Sequence, residues 1–366
     1  MSQNTLNVPS PNEMILAAAG GGKTTTIVKS ALAAAPKRSA MLTYTQNNVE
    51  EIRKCLYSLN SAIPPGIEVL SWYTFLLREM ARPYQLAIYD RRIDGIKWVH
   101  GLSPRYITKT DVRRFYFCNE TLIYSDKVSQ FVCECDRASG GAVLKRLERR
   151  FDHIYIDEIQ DMAGYDVNLI ELMLKSRIKI TLVGDHRQTT YRTNHSPKNK
   201  SRAGIHIREQ FTDWHRRSLG TAKYTTETLR CNQAISDLAD ALFPGELRTK
   251  SLNRAKTGHD GVFAIGPSAV REYVDRYRPK VLRLDKRTDC AGYEAMNFGE
   301  SNGLTFDRVL IFPHKKAREW LSSGDLKHIA DSATKMYVGI TRARHSVAFV
   351  YDAEIKIPGI QVLTAG

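Results

Sequence analysis

The sequence predicts an α/β fold: two units built on parallel sheets, with a small, mostly helical insertion in the first. Three observations point there. Short apolar segments alternate with helical stretches, the pattern of parallel βα layers. A glycine-rich turn, Ala19-Gly20-Gly21-Gly22, links the first apolar segment to the first helix. Two later apolar segments end directly in Asp157 and in Gly184-Asp185, and ligands of open α/β sheets bind at that end of a strand.

Taken in order, Met14–Ala18 reads as a buried strand, followed by a helix from about Thr24 to Ala35 that Pro36 ends. Met41–Tyr44 is the next strand. Asn47 and Glu50 form a capping-box pattern before the helix Val49–Leu59. Val69–Leu70 begins a short strand that leads into a helical Trp72–Arg82, stopped before Pro83. Residues 84–145 change character, being basic, aromatic and mostly helical, and read as an insertion. The alternation resumes with strand His153–Asp157, helix Asp166–Lys175 and strand Ile178–Val183. Residues 192–217 are polar and basic and read as a loop-rich connection. Asn232 caps a helix Gln233–Leu242, and strands are expected at Lys280–Leu284, Arg308–Phe312 and Ser346–Tyr351. The expected organisation is therefore 1–83 with 146–220 as the first unit, 84–145 as its insertion, and 221–366 as the second unit.

Composition narrows the class of partner. Apolar residues make up 42% of the 366, enough for packed cores and too many for a disordered chain. Lys and Arg number 54 against 39 Asp and Glu, a formal charge of +15; such an excess suits either a solvated surface or a polyanion partner, nucleic acid above all. No apolar run approaches the roughly 18 residues of a membrane span, so no membrane partner is expected. Six scattered cysteines, with Cys133 and Cys135 one residue apart, suit free thiols and a cytoplasmic location better than a metal site.

Chemistry concentrates at three strand ends. In Ala19-Gly20-Gly21-Gly22-Lys23-Thr24-Thr25 the glycines let backbone N–H groups turn onto phosphate oxygens, and the helix start adds a favourable partial charge. Lys23 is placed to reach the β and γ phosphates of a nucleotide, and Thr24 to put its hydroxyl on Mg²⁺. Asp157 suits a Mg²⁺ contact, and Glu158 beside it could orient and deprotonate an attacking water. Gln188, after the third strand, could report the γ phosphate or position water. The expected substrate is ATP, with Mg²⁺ as cofactor.

In this order the motifs resemble those of the UvrD/Rep-type superfamily 1A DNA helicases. Met41–Asn47 resembles the motif after the phosphate loop, with Tyr44 at its aromatic position, and Ser71-Trp72-Tyr73-Thr74-Phe75 the next DNA-contacting motif. Asp157-Glu158-Ile159-Gln160-Asp161 matches the signature whose glutamine separates this group from DEAD-box proteins. Gly184 to Tyr191, Leu229-Arg230-Cys231, Gly303-Leu304-Thr305-Phe306-Asp307 and Tyr337 to Arg344 resemble the later motifs. The resemblance implies two RecA-like lobes that share one ATP, with Arg230 at a γ-phosphate arginine, Arg342 at the arginine finger and Gly303 at the nucleotide. It also implies single-stranded or partly duplex DNA held by Tyr44, Thr45, Ser71, Tyr73 and Tyr191, and movement 3′ to 5′. Four departures stand out, the first being that the family's N-terminal glutamine motif is not recognisable upstream of Met14. Thr193 and Asn194 replace an aromatic and an arginine, Asn302 and Thr305 replace Lys and Glu, and only about 70 residues separate Arg230 from Gly303, so the large second-lobe insertion is expected to be absent or vestigial. These departures leave an alternative open, a DNA-sensing regulatory NTPase of an anti-phage complex that acts with a nuclease subunit.

Overall fold

The computed structural model describes residues 12–35, 37–99, 101–103, 106–189, 193 and 198–363. Its chain divides into two compact units. The first comprises Met1–Leu16, Lys23–His186 and Arg192–Tyr224; the second comprises Ala17–Gly22, Arg187–Tyr191 and Thr225–Gly366.

The first unit is organised on a six-stranded sheet. Its strands are β1 (Glu13–Ala17), β2 (Ser39–Thr43), β3 (Ile67–Ser71), β7 (His153–Ile156), β8 (Lys179–Gly184) and β9 (Thr221–Thr225), in the order β3-β2-β7-β8-β1-β9. From β3 to β1 every pairing is parallel, with Leu42 opposite Ile156, Ile156 opposite Leu182 and Leu16 opposite Gly184. Every residue of β2 and β7 is buried, as expected when both faces of a parallel sheet are covered. Side chains alternate between the faces. Met41, Val69 and Tyr155 meet Ile27, Val28 and Ala31 of α1 (Lys23–Ala33) and Val49, Ile52 and Leu56 of α2 (Gln46–Asn60). Leu42, Ile154, Ile156 and Leu182 belong to the opposite core.

Local chemistry places several boundaries differently from the sequence expectation. The cap of α2 is Thr45, whose hydroxyl accepts from Asn48 N at 3.2 Å, and Glu50 pairs instead with Arg53 at 2.8 Å. Pro83 does not stop the helical run. After α3 (Trp72–Phe75) a π-helical stretch, Leu76–Ala81, passes into α4 (Arg82–Tyr84), where Pro83 occupies a first-turn position whose missing N–H costs little. Between β3 and β7 lies a small sheet, β4 (Gly95–Lys97), β5 (Phe117–Cys118) and β6 (Leu122–Tyr124) in the order β4-β6-β5. The same stretch carries the helices α5 (Val112–Tyr116), α6 (Val128–Ala138) and α7 (Ala142–Arg150). After α8 (Tyr165–Leu174), the presumed loop-rich connection ends in a helix, α9 (Ile207–Arg216), which buries Ile207, Phe211 and Trp214. That i, i+4, i+7 stripe is interrupted by charged residues at most other positions, which hid it in the sequence.

The π-helical stretch carries a buried acid. Glu79 is 2% exposed and is held by Arg78 at 2.8 Å, Arg146 at 3.0 Å and Arg150 at 3.3 Å. Burial alone would raise its carboxyl, but hydrogen bonding and charge from Arg150 and Arg78 outweigh this and hold it below the ordinary value. Its stabilising contribution is therefore present above the unfolded value of about 4.5 and is lost as pH falls through the lower folded one. Glu79→Ala removes the buried acceptor that three arginines share, although Arg78 and Arg150 keep Glu68, and is expected to cost about 2 kcal/mol at neutral pH. Urea melting checks this: the gap between variant and parent should narrow in acid, and an unchanged midpoint at neutral pH would contradict the assignment.

The second unit has its own six-stranded sheet. It contains β12 (Gly261–Ile265), β13 (Lys280–Arg283), β14 (Met296–Asn297), β15 (Phe306–Ile311), β16 (Ala343–Val350) and β17 (Ile360–Leu363), in the order β14-β13-β15-β16-β12-β17 with all pairings parallel. A separate parallel pair joins β10 (Glu227–Thr228) to β11 (Lys250–Ser251). One face packs Val262, Leu282, Val309, Ile311, Val347 and Phe349 against α10 (Gln233–Asp240), α12 (Lys315–Ser323) and α13 (Ala333–Thr341). The other packs Phe263, Val281, Leu310 and Val350 against Val270 and Tyr273 of α11 (Val270–Tyr277). Asn232 caps α10 as expected, accepting from Ile235 N at 3.1 Å. The residues between Arg230 and Gly303 supply β12, β13 and β14 of this sheet.

Candidate active site

In the first unit, the parallel registers bring the carboxyl ends of β7, β8 and β1 to one edge of the sheet. Asp157 follows β7 and is 2% exposed. Thr24, in the first turn of α1, donates its hydroxyl to Asp157 Oδ2 at 2.8 Å. Burial, and then the neighbouring Glu158, push the Asp157 carboxyl upward, while the Thr24 hydrogen bond and the Lys23 charge pull it back. A buried carboxylate so raised favours a cation, and a hydroxyl plus a carboxylate is a hard-oxygen set of the kind Mg²⁺ takes. Thr25, the next residue, is exposed.

Glu158 has left-handed backbone, φ +54°, which non-glycine residues adopt at a cost of order 1 kcal/mol and mostly at functional sites. Two contacts hold it there. Its N–H donates to Asp157 Oδ1 at 2.9 Å, and Gln160 Nε2 donates to Glu158 Oε2 at 2.5 Å. Gln160 is fully buried, and its Oε1 accepts from Asp185 N at 3.1 Å. That second bond fixes which end of the amide faces Glu158. Gly184 makes the arrangement possible, because a Cβ there would overlap Gln160 Oε1. Gln160 stands in the sequence as a motif letter; its bridge between two strand ends could be found only from the fold.

The second unit contains the phosphate loop's glycines. Gly20 has φ +72°, and a Cβ there would overlap Arg230 Cβ, so glycine is required for both conformation and approach. Ala19 N donates to the Tyr337 hydroxyl at 3.4 Å, Ala19 O accepts from Thr228 Oγ1 at 2.7 Å, and Gly20 O accepts from Leu229 N at 3.0 Å. Arg230 Nη1 donates to Thr341 O at 3.2 Å. Arg342, 1% exposed, donates to Gln188 Oε1 at 2.7 Å, to Leu304 O at 3.2 Å and to Val338 O at 3.2 Å. Gln188 and Arg342 are 154 positions apart in the chain, and the structure joins them directly. Gly303 lies in the turn before β15 with φ +86°.

The residues expected to touch DNA fall after β2, after β3 and outside the described residues. Tyr44 and Thr45 are partly buried after β2, and Thr45 is occupied as a helix cap. Ser71 caps α3, and Tyr73 is 5% exposed with its hydroxyl donating to Thr193 O at 2.9 Å. Tyr191, with Arg192 and Asn194, lies outside the described residues. Thr193 is 6% exposed: its N donates to Asp161 O at 3.0 Å, and its hydroxyl accepts from Ala163 N at 2.9 Å and donates to Asp166. It ties the segment after Gln188 to the Asp157 turn and offers nothing to a base. Among the described residues no His, Cys, Asp and Glu cluster could hold a further metal, and the six cysteines are free thiols. No helix among them is long and apolar enough to cross a membrane. A groove of about 790 Å³ lies beyond the carboxyl ends of β13 and β15, lined by Lys315, Lys335 and Arg318 together with the pairs Asp285–Arg287 and Lys316–Asp331.

Parallel α/β units, a phosphate loop, a part-buried Thr–Asp pair and a buried arginine are the parts from which nucleoside-triphosphatase sites of the helicase type are built. Residues 3–194 match the family described as AAA domain, and residues 141–351 match the family described as Viral superfamily 1 RNA helicase core domain. The chain belongs to the superfamily 1 helicases. No curated protein matches it. Among solved structures it is similar to the PRRSV helicase, at 16% identity over 93% of this chain and 52% of that chain, with a TM-score of 0.48. It is likewise similar to the Arterivirus nonstructural protein 10 (helicase), at 14% identity over 93% of this chain and 59% of that one, with a TM-score of 0.46. The same helicase in complex with DNA is matched at 14% identity, over 93% and 60%, with a TM-score of 0.46. The chain thus spans between half and two thirds of the length of these structures.

Proposed function

We propose that this chain is an ATP-driven translocase on single-stranded nucleic acid. The observation that carries the reading is the Thr24–Asp157 hydrogen bond with Glu158 held beside it in left-handed backbone. Lys23 and the amides of Gly20, Gly21 and Gly22 bind the phosphates, with Ala19 and Thr25 flanking them. Thr24 and Asp157 hold Mg²⁺, which when bound offsets phosphate charge. Glu158, aimed by Gln160, takes the proton of the attacking water. Gln188 and Arg342 act as one hydrogen-bonded pair on the γ phosphate, with Arg230 as a second cation and Gly303 near the nucleotide. The lobes proposed are those expected from the sequence, 1–83 with 146–220 carrying an insertion 84–145, and 221–366; the compact units differ in assigning Ala17–Gly22 and Arg187–Tyr191 to the second.

The UvrD/Rep-type motif order supports the finer reading of DNA as the track and 3′–5′ as the direction; the name of the matched family supports RNA. Strand displacement on tailed duplexes tests both. Activity on a 3′-tailed DNA duplex alone is the expected result, and activity on 5′-tailed substrates alone would overturn the polarity. A second reading, a regulatory subunit that works with a nuclease, is favoured by Thr193, which is buried where a stacking ring would grip a strand. ATP hydrolysis that responds to DNA without any displacement would favour it.

A further inference from the structure

We propose that Trp98 is a base-stacking residue for single-stranded nucleic acid, set on the first unit by the aromatic row Tyr44–Tyr73–Trp98. The inference rests on the translocase reading and names a contact within it. Of the four tryptophans, Trp72 and Trp214 are 0% exposed and Trp320 is 1% exposed, whereas Trp98 is 61% exposed. A single exposed aromatic ring is ordinary; a rigidly held one is a different matter. Trp98 directly follows β4, which pairs with β6, and the next residue, Val99, donates its N–H to Ser125 Oγ at 3.2 Å. The indole meets the Tyr73 ring edge to face, with centroids 4.8 Å apart at 80°. Tyr73 is fixed in turn by its hydroxyl on Thr193 O and by Tyr44, 5.9 Å away.

An edge-to-face contact uses at most one face of the indole. The rest of the ring is presented to solvent already ordered, so a stacking base finds little rotamer freedom left to freeze. The location fits a strand running past the sheet. Tyr44 follows β2 and Tyr73 follows β3, so the row stands at the carboxyl edge of the sheet that also carries Thr24 and Asp157. Exposed Arg92 and Lys97 lie in the same small subdomain and suit phosphate contacts, whereas lysine is depleted at protein–protein interfaces. Every base has a π face, so a platform of this kind is sequence-tolerant, as translocation requires.

The test titrates the full chain with oligo(U) and with oligo(dT) carrying an end fluorophore at fixed salt, reading affinity from the fluorophore's anisotropy and stacking from intrinsic tryptophan fluorescence. Because the other three tryptophans are buried, quenching by stacked bases reports Trp98. Quenching in the parent is expected, with an affinity loss of about 5- to 150-fold in Trp98→Ala and most of the affinity recovered in Trp98→Phe, which keeps a ring. Trp98→Phe also stands in should the alanine variant fold poorly. A Trp98→Ala chain that binds with parental affinity, or binding by the parent without quenching, overturns the stacking role and leaves the translocase reading standing. No binding of either strand by the parent overturns both.

Discussion

Arg342→Ala is expected to lower kcat by about 10³- to 10⁵-fold while changing nucleotide affinity far less. The guanidinium is the most deeply buried charged group among the proposed site residues, at 1% exposure. Three hydrogen-bond acceptors aim it: Val338 O, Leu304 O and Gln188 Oε1. A cation held this rigidly is suited to charge that develops only in the transition state, and such an interaction appears in kcat rather than in binding. Arg342→Lys keeps the charge and loses the planar fork, so it should recover little. Because Gln188 and Arg342 share a 2.7 Å hydrogen bond, their alanine variants should be strongly non-additive in a double-mutant cycle. Steady-state hydrolysis with fluorescent-nucleotide binding measures both quantities. An unchanged kcat in Arg342→Ala would remove it from the mechanism.

Glu158→Gln is expected to bind nucleotide normally and to slow turnover by about 10²- to 10⁴-fold, the usual worth of a general base. The substitution is a clean one here. A glutamine at 158 can still accept from Gln160 Nε2 through its carbonyl oxygen, so the bridge to Asp185 N and the left-handed backbone are both retained. What is lost is the proton acceptor. Near-parental turnover would show that the base lies elsewhere and that Glu158 has only a structural part.

The local chemistry of the site was legible in the sequence where one strand end carries it. The glycine turn with Lys23 and Thr24 is contiguous, and Asp157 and Glu158 are adjacent. Contacts between distant segments were not legible from residues alone. The Gln160 bridge depends on Asp185, 25 positions on. Gln188 was read from its strand end and Arg342 from the family resemblance, and their pairing came from the structure. Trp98 attracted no notice because exposure is a property of the fold. The same limit applied to the elements. Most of the long buried strands announced themselves, although the buried β12 (Gly261–Ile265) was not among those expected, and β4, β5 and β6, only two or three residues each, carry too little alternation to be seen. Helix α9 was masked by its charged surface, and Pro83 misled because the π-helical stretch before it resets the hydrogen-bond register.

ATP hydrolysis and the binding of a single strand are expected to be coupled in this chain. Steady-state ATPase with and without saturating single-stranded nucleic acid, DNA and RNA each in turn, measures that coupling, with Lys23→Ala as the blank because it removes the phosphate loop's own cation. The expected result is low turnover alone, a marked rise with at least one of the two strands, and neither in Lys23→Ala. Parental turnover that is indifferent to both strands, or that survives in Lys23→Ala, would contradict it.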